Sequence, residues 1–370
     1  MNPAVREAEI LVVGGGAAGL CAAAEAAVAG ARVLVLESDL HLGGQLVKQT
    51  HKFFGSKDEF AGTRGFKIAG KILDEMASCK DKIETVTNAN VMGYYPEDGV
   101  VTVMVGEDEY FKVKPARIVM ATGAQERLIA FPNNDLPGVY GAGAVQTLMN
   151  VYGVSPGDRV LMVGAGNIGL IVSYQLMQAG VQVAAILEAM PNIGGYWVHA
   201  AKIRRLGVPI LLRHTIKAAL GDVVVEGAIV RSLANGETFK IDCDIICLAV
   251  GLSPTAEILW QAGCEMKYVP ELCGYVPIRN ARQRTTNDDV WVAGDAAGIE
   301  EASSAMVEGR IAGLDAAASL GYEIDESRFG VYEERLKALR SGETASRIRA
   351  GLARVSANGF LGGMTSDGFQ

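Results

Sequence analysis

The sequence predicts an α/β protein built around two copies of one strand–turn–helix–strand unit. Three observations support this fold class. A glycine-rich turn follows a short apolar run twice, beginning at Gly14 and at Gly164. After each turn, at a distance of about 20 residues, an acidic residue ends a second apolar run. Glycine accounts for 45 of the 370 residues, well above the usual level of about 7%, as tight turns and close backbone contacts require.

Composition and charge exclude several classes of protein. The 370 residues predict about two to three domains, and 49% apolar with 21% charged residues is typical of globular proteins. The net charge is 34 − 42 = −8 without any basic block, which argues against nucleic-acid or anionic-membrane binding. Six cysteines in a chain of this length do not make a disulfide scaffold. The first ten residues contain no apolar signal segment, so we expect a cytoplasmic protein.

The first copy of the unit occupies residues 10–37. A predicted strand at residues 10–13 enters the turn, an alanine-rich helix continues to about residue 29, and a second strand at residues 31–36 ends at Glu37. Gly30 is the predicted cap of the helix.

The second copy occupies residues 160–188 and ends at Glu188. Residues 160–187 contain no charge and are longer than a membrane span, but glycine, asparagine and glutamine interrupt them. We therefore predict a buried strand–helix–strand unit, which is apolar throughout because both faces of its sheet are covered.

Each copy predicts a dinucleotide site. The first glycine of the turn permits the tight bend, the second admits a pyrophosphate, and the third allows the helix to pack on the strand. The helix N-terminus holds the phosphates and the acid accepts a hydrogen bond from a ribose hydroxyl. The alternative is a glycine turn without a ligand. This alternative has more weight for the second copy than for the first, because a duplicated domain can keep its fold and lose its ligand.

Further motifs extend the pattern. Gly43-Gly44-Gln45 follows the first unit, Ala121-Thr122-Gly123 precedes the second, and residues 285–295 end in Gly294-Asp295. Together these motifs resemble the pyridine nucleotide–disulfide oxidoreductases, flavoproteins with two Rossmann-like domains, over residues 8–322. The resemblance implies FAD at the first turn, NAD(P)H at the second, and Asp295 on the FAD ribityl chain. The layout is similar to thioredoxin reductase, with a FAD domain at 1–125 and 256–322, an inserted NAD domain at 126–255, and a helical tail at 323–370.

The resemblance also implies a set of cofactor-binding residues. Gln45 and Thr50 match positions that contact the flavin ring, and His51 beside them either bonds the flavin or a partner or is a solvated or capping residue. The full predicted set is Gly14, Gly16, Ala17, Ala18, Gly19, Glu37, Gly44, Gln45, Thr50, Ala121, Thr122, Gly123, Gly164, Gly166, Asn167, Ile168, Gly169, Glu188, Gly251, Gly294, Asp295 and Ala302. Since the cofactors supply the chemistry, we predict no nucleophile and no metal site.

A narrower group fits the stretches 121–148 and 187–196. These resemble components of heteromeric amine dehydrogenases and oxidases, including the alpha subunit of sarcosine oxidase, the A subunit of opine oxidase, the B subunit of hydrogen cyanide synthase and the alpha subunit of dye-linked proline dehydrogenase. Many relatives bind a [2Fe-2S] cluster in a C-terminal cysteine-rich segment. No cysteine follows Cys273 here, so we expect electrons to leave by another route.

The cysteines depart from the thioredoxin reductase pattern, because no Cys-x-x-Cys pair is present. Cys243 and Cys247 lie on a predicted strand at residues 243–248, where four residues span about 13 Å. A disulfide needs Cα atoms within about 7 Å, so this pair cannot form one. We expect all six cysteines to be small buried hydrophobes and no disulfide chemistry.

Three other features bear on function. Residues 298–306 predict a helix whose N-terminal dipole would favour negative charge on a reduced flavin. Glu188 favours NADH over NADPH, because an acid repels a 2′-phosphate. The apolar spacing at 329–340 predicts a tail helix, which either docks on another subunit or is a solvated helix before a frayed terminus.

The sequence thus predicts an FAD-dependent oxidoreductase that exchanges electrons with NAD(H), as one component of a heteromeric amine or amino-acid dehydrogenase or oxidase. Two alternatives stay open: a stand-alone NADH:acceptor reductase, and an electron-relay subunit whose second site binds an adenine nucleotide without redox use. A homo-oligomer is also possible.

Overall fold

The structure is a computed structural model that describes residues 4–357, apart from the side chain of residue 344. Residues 1–3 of the predicted FAD domain and 358–370 of the predicted tail lie outside the described residues. The chain forms two compact units. The second unit consists of Lys48–His51 and Glu126–Leu252, and the first contains the remaining described residues.

The secondary structure alternates strands and helices in both units. Over the described residues the strands are β1 (Ala4–Val13), β2 (Val33–Leu36), β3 (Ile83–Val86), β4 (Ala89–Tyr95), β5 (Val100–Val105), β6 (Glu109–Met120), β7 (Ala124–Glu126), β8 (Val139–Gly141), β9 (Arg159–Val163), β10 (Gln182–Glu188), β11 (Ile210–Leu212), β12 (His214–Leu220), β13 (Gly227–Ser232), β14 (Thr238–Ile241), β15 (Ile245–Leu248), β16 (Leu252–Pro254), β17 (Met266–Val269), β18 (Gly274–Pro277) and β19 (Val290–Val292). The α-helices of the same residues are α1 (Ala17–Ala29), α2 (Gly65–Ala77), α3 (Ala142–Asn150), α4 (Asn167–Gln178), α5 (Trp197–Arg205), α6 (Glu257–Gln261), α7 (Ala302–Ser319), α8 (Ser327–Leu339) and α9 (Ser346–Ala353).

The first unit is built on a sheet of order β3-β2-β1-β6-β5-β4, with β19 parallel to the end of β6. Strand β1 is apolar at four consecutive positions because both faces of the sheet are covered. Ile10 and Val12 pack into the core that contains α1 and α7, and Leu11 and Val13 pack into the core on the opposite face. Because β2, β1 and β6 are parallel, their carboxyl ends meet at the edge where the first glycine turn lies.

The second unit repeats this arrangement with an all-parallel sheet of order β11-β10-β9-β15-β8, beside a separate antiparallel sheet of β12, β13 and β14. Its central strand β9 is also apolar on both faces. The charge-free segment is thus β9, α4 and most of β10, as the sequence predicts. Among residues 4–357, none of the helices has the length and apolarity to span a bilayer.

The predicted tail helix corresponds to α8 and belongs to the first unit. Its apolar residues Phe329, Tyr332 and Leu336 are buried against residues of α7. Arg328 forms an ion pair with Glu25 of α1, a carboxylate that is only 2% exposed. The apolar face of the helix is therefore covered within its own unit, and Val331 is an exposed large apolar residue on its other face.

Several predicted element bounds are wrong. Strand β1 begins at Ala4 rather than at residue 10, and β2 begins at Val33 rather than at residue 31. The strand predicted from Cys243 begins only at Ile245, because the Asp244 carboxylate accepts hydrogen bonds from the backbone N–H groups of Asp158 and Arg159. The helix predicted from Gly298 begins at Ala302, because Gly298 adopts a φ of +141° that interrupts the turn before it.

Candidate dinucleotide sites

Two glycines of the first turn are required by the protein itself. Gly14 has a φ of +103°, and a Cβ there would lie 2.3 Å from the carbonyl oxygen of Ala121. A Cβ on Gly19 would lie 1.8 Å from the carbonyl oxygen of Gly14. Conformation and packing therefore explain these two residues without any ligand.

Gly16, between them, has no such explanation. Its φ of −82° and ψ of −169° are extended values that any residue adopts. A Cβ there would come no closer than 3.9 Å to a protein atom, the Cα of Gly44. Helix α1 begins at the next residue, and Gly16, as its N-cap residue, provides no side-chain hydrogen bond to it within the described part of the chain. The space in front of Gly16 and the uncapped end of the helix together fit a pyrophosphate.

The acid at the end of β2 is fixed beside the turn. The Glu37 side chain is buried, its Oε2 accepts a hydrogen bond of 2.7 Å from the N–H of Gly15, and its Oε1 accepts one of 2.8 Å from the N–H of Asp39. A carboxylate has about four acceptor positions, so Glu37 can also accept a hydrogen bond from a ribose hydroxyl.

The second unit reproduces this geometry. Gly164 has a φ of +112°, whereas a Cβ on Gly166 would meet no protein atom within 4 Å. Glu188 accepts hydrogen bonds from the N–H of Ala165 at 3.0 Å and from that of Met190 at 2.9 Å. The second turn has therefore kept the open glycine and the oriented acid of the first.

The repeat also includes a returning loop. The N–H of Gly43 donates to the carbonyl of Gly15 at 2.8 Å, and in the second unit the N–H of Gly195 donates to the carbonyl of Ala165 at 3.0 Å. A Cβ on Gly44 would lie 2.8 Å from the Cα of Gly16. Each glycine pair thus lets a loop pass close to the turn, an equivalence that the sequence analysis missed.

Asp295 belongs to the predicted site of the first unit, together with the glycine turn and Glu37. The turn Gly294–Ala297 is held between helices, since a Cβ on Gly294 would lie 2.9 Å from the Cβ of Ala18. The Asp295 carboxyl accepts a hydrogen bond of 3.4 Å from the N–H of Glu300. Burial raises the pKa of Asp295 to about 7, the Glu300 N–H opposes this shift, and the charges of Glu308 and Glu300 add to it. A carboxyl with so little stabilisation from the protein is suited to a ligand hydroxyl.

Other predicted residues of the first unit lie at the same end of the sheet. Ala121 donates its N–H to the carbonyl of Val13 at 2.8 Å, and the hydroxyl of Thr122 donates to the carbonyl of Thr255 at 2.6 Å. A Cβ on Gly123 would meet no atom within 4 Å. Gln45 is exposed in the short 3₁₀ turn that follows the glycine pair, and Ala302 is the first residue of α7.

Thr50 and His51 belong instead to the second unit. The Thr50 hydroxyl accepts a hydrogen bond of 2.8 Å from the amide of Gln175, which in turn accepts one of 2.9 Å from Gln146. Burial, and after it the charge of His199, lowers the pKa of His51 to about 4. His51 is therefore neutral at physiological pH. A flavin contact for either residue stays a prediction.

The remaining predicted residues of the second unit lie along its turn. Asn167 accepts a hydrogen bond of 2.8 Å from the N–H of Tyr196, and Ile168 is exposed at the start of α4. Gly169 packs against Gly164 as Gly19 does against Gly14. Gly251 has a φ of +124°, and its carbonyl accepts a hydrogen bond of 2.9 Å from the N–H of Arg127.

Sequence reasoning missed two charged residues of the second unit. The N–H of Arg213 donates to the carbonyl of Met190 at 3.2 Å, which brings a cationic residue to the loop beside Glu188. Glu126 accepts a hydrogen bond of 2.7 Å from the N–H of Gly143 and so caps the N-terminus of α3. Neither is close in sequence to the glycine turn, so only the fold could show these relationships.

All six cysteines lie within the described residues, and none of them forms a disulfide. Burial raises the pKa of Cys21 and of Cys243 to about 12, which keeps both protonated and weakly nucleophilic. The prediction that all six are buried is wrong for Cys79 and Cys273, which are half-buried because each lies in a turn, after α2 and before β18 respectively.

Solved structures share this fold. L-proline dehydrogenase from P. horikoshii matches 90% of this chain with a TM-score of 0.73 and 23% identity, and the match covers 59% of that chain. Thioredoxin reductase from T. acidophilum matches 85% of this chain with a TM-score of 0.71 and 22% identity, and the match covers 99% of that chain. The predicted α/β fold with two Rossmann-like units is confirmed.

Curated relatives are similar over most of the chain. The A subunit of opine oxidase from Agrobacterium tumefaciens (strain Ach5) is 30% identical over 335 residues, and the alignment covers 84% of this chain and 66% of that protein. The alpha subunit of sarcosine oxidase from Corynebacterium sp. (strain P-1) is 26% identical over 342 residues, covering 85% of this chain and 33% of that protein. The chain thus spans less than two thirds of the length of these relatives.

The family model called pyridine nucleotide-disulphide oxidoreductase matches residues 8–309. The matched region contains both glycine turns, both acids and Asp295. The resemblance seen in the sequence is confirmed, and the chain belongs to the pyridine nucleotide-disulphide oxidoreductase family.

Proposed function

We propose that this chain is an FAD-dependent oxidoreductase that exchanges electrons with NAD(H), FAD binding to the first unit and NAD(H) to the second. The observation that carries the proposal is the pair Gly16 and Gly166. Neither backbone conformation nor packing requires glycine at these positions. A pyrophosphate that approaches the backbone closely would require it, because any side chain would occupy the same space.

In the first unit the residues would bind and orient the cofactor. The N–H groups at the start of α1 would hold the pyrophosphate, Glu37 would accept from the ribose, and Asp295 would accept from a ribityl hydroxyl. FAD, when bound, supplies the hydride and electron chemistry. The N-terminus of α7 would favour negative charge near it.

In the second unit we propose a preference for NADH. Glu188 is held by the N–H groups of Ala165 and Met190, so its carboxylate is oriented before a ribose arrives. A fixed negative charge repels a 2′-phosphate. Arg213 beside Met190 is the group that would reduce this discrimination.

We further propose that the chain works with other subunits in the oxidation of an amine or amino acid. The support is that the relatives over this region are named subunits of opine oxidase and of sarcosine oxidase. The chain spans 66% and 33% of these two proteins, so their substrates come to this chain only as a hypothesis.

Anaerobic reduction tests the electron exchange. The purified chain should contain FAD, and NADH should bleach its absorbance, whereas a Gly166→Val variant should keep FAD and lose bleaching by NADH but not by dithionite. A chain without FAD, or a Gly166→Val variant that NADH bleaches at the wild-type rate, would contradict the proposal.

The same experiment separates the alternatives. A stand-alone reductase bleaches rapidly with NADH and reduces dyes through many turnovers. A relay subunit with a non-redox second site binds NADH or an adenine nucleotide without bleaching. For the hypothesis of a heteromeric enzyme, copurification with native partners and their identification is the direct test.

A further inference from the structure

Arg340, at the C-terminal end of α8, forms ion pairs with two buried carboxylates, those of Glu300 before α7 and Glu308 within it. Its guanidinium lies 2.8 Å from Oε2 of Glu300 and 2.6 Å from Oε1 of Glu308. The three side chains are 15%, 10% and 5% exposed, respectively. Arg340 Nη2 contacts both acids, and its Nε also donates to Glu300, so the guanidinium makes a two-nitrogen contact with Glu300 that a lysine amine cannot reproduce.

The two carboxylate residues hold the turn that carries Asp295 from opposite sides. Oε2 of Glu308 accepts a hydrogen bond of 3.0 Å from the N–H of Gly294, the residue before Asp295. The N–H of Glu300 donates to the Asp295 carboxyl. Arg340 therefore fixes both Glu300 and Glu308, the two acids whose groups bond to Asp295 and to Gly294.

Within the described residues, the next cation is more distant. Arg279 Nη2 lies 3.9 Å from Oε1 of Glu308, beyond hydrogen-bond distance, while its Nε donates to Gln283. If Arg340 were lost, the two buried carboxylates would have only this weaker partner among the ion pairs of that region. A buried charge without its partner is strongly destabilising, so the acids would rearrange and release the turn.

Arg340 is itself fixed without any ligand. Its carbonyl accepts a hydrogen bond from the guanidinium of Arg349 in α9, and α8 is anchored by its buried apolar residues. The tail therefore positions the backbone of Arg340.

We propose that Arg340 is a positioning residue, by which the end of the tail helix α8 holds the turn Gly294–Asp295 in the conformation that binds FAD. This inference rests on the proposed function, since it assumes that Asp295 contacts FAD. It gives the tail a role in cofactor binding that the sequence analysis did not consider.

The test compares Arg340 with Arg335 of the same helix. Arg335 also forms an ion pair with a buried acid, Glu59, at 2.8 Å, but that pair does not contact the turn. Arg340→Met, Arg340→Lys, Arg335→Met and Arg335→Lys are prepared as apoproteins. Their thermal unfolding is recorded, and FAD is titrated into each.

We expect Arg340→Met to bind FAD at least about ten-fold more weakly than wild type. This is the effect of losing one hydrogen bond to a charged group. Arg340→Lys should be intermediate, because it keeps the charge but loses the second hydrogen bond to Glu300, which Nε donates. Arg335→Met should bind within about two-fold of wild type, although its unfolding temperature falls comparably. If the methionine variants do not fold, the FAD affinities of Arg340→Lys and Arg335→Lys are compared in the same way, and only the first should be weakened.

Two outcomes overturn the inference in distinguishable ways. If wild type and the folded Arg340 variants bind FAD equally well, or if the Arg335 variants lose as much affinity, Arg340 has no positioning role while the proposed function stands. If the wild-type chain binds no FAD, the proposed function fails and this inference fails with it.

Discussion

The Glu188 carboxylate accepts a hydrogen bond of 3.0 Å from the N–H of Ala165, as the Glu37 carboxylate does at 2.7 Å from the N–H of Gly15. Each acid also accepts from the N–H two residues further along the chain, that of Met190 or that of Asp39. Both acids are thus oriented by the turn that they serve.

Glu188→Ala should weaken NADH binding and reduce its advantage over NADPH. The expected loss is about 1–3 kcal/mol, the contribution of a hydrogen bond to a charged acceptor, or about 5- to 150-fold in the dissociation constant. Titration of NADH and NADPH against wild type, Glu188→Ala and the control Arg213→Ala measures this. The control should keep NADH affinity. An unchanged NADH dissociation constant in Glu188→Ala would contradict a ribose role.

The local parts of both sites were predictable from the sequence. Each glycine turn, its strand, its helix and its acid lie within 29 residues of one another, and hydrophobic periodicity with glycine position is sufficient to recognise such a unit. Gly30 illustrates this, since it caps α1 in the left-handed conformation expected of a C-terminal glycine.

Asp295→Asn should stabilise the apoprotein at high pH and weaken FAD binding. Because the folded-state pKa of about 7 exceeds the ordinary 3.8, the folded state binds more protons than the unfolded state between these values. The free energy of unfolding therefore falls as the pH rises through this range. Asparagine does not ionise, so the variant should gain of the order of 4 kcal/mol at about pH 8 and little at about pH 4. Thermal unfolding of apoprotein at both pH values checks this, and an equal gain at both would be contrary evidence.

His51→Gln should reduce acid sensitivity. The folded-state pKa of about 4 lies below the ordinary 6.5, so the unfolded state takes up the proton first. The free energy of unfolding should fall as the pH drops from about 6.5 to about 4, and the variant should lack this part of the loss. Unfolding curves of wild type, His51→Gln and the exposed-site control His41→Gln at about pH 7 and pH 5 measure it. Identical pH dependence in wild type and His51→Gln would exclude His51 as the cause.

Replacing the six cysteines by serine or alanine should leave NADH-to-dye electron transfer intact. None of the six thiols, which all lie in the described part of the chain, forms a disulfide, and burial keeps at least Cys21 and Cys243 protonated. Because buried positions tolerate substitution poorly, activity is compared only among folded, flavin-loaded variants. A single substitution that keeps full flavin and abolishes activity would restore a dithiol mechanism.

Long-range relationships could not be predicted. Arg340 and Glu308 are 32 residues apart, and Arg213 lies 23 residues after Met190, with nothing in either local pattern to connect them. The equivalence of Gly43 and Gly195 needed the hydrogen bonds that each donates to its own turn. Cys243 shows the opposite error, since an apolar run predicted a strand where the Asp244 side chain bonds the neighbouring backbone instead.

The flavin content of a Gly16→Val variant tests the central claim most directly. A side chain at Gly16 has room in the protein, since its Cβ would come no closer than 3.9 Å to another residue, so the variant should fold with an unfolding temperature close to that of wild-type apoprotein. The same side chain would fill the space proposed for the pyrophosphate. We predict that wild type purifies with non-covalent FAD and that folded Gly16→Val contains none and takes up none on titration. A folded Gly16→Val variant with the full wild-type complement of FAD would contradict the account.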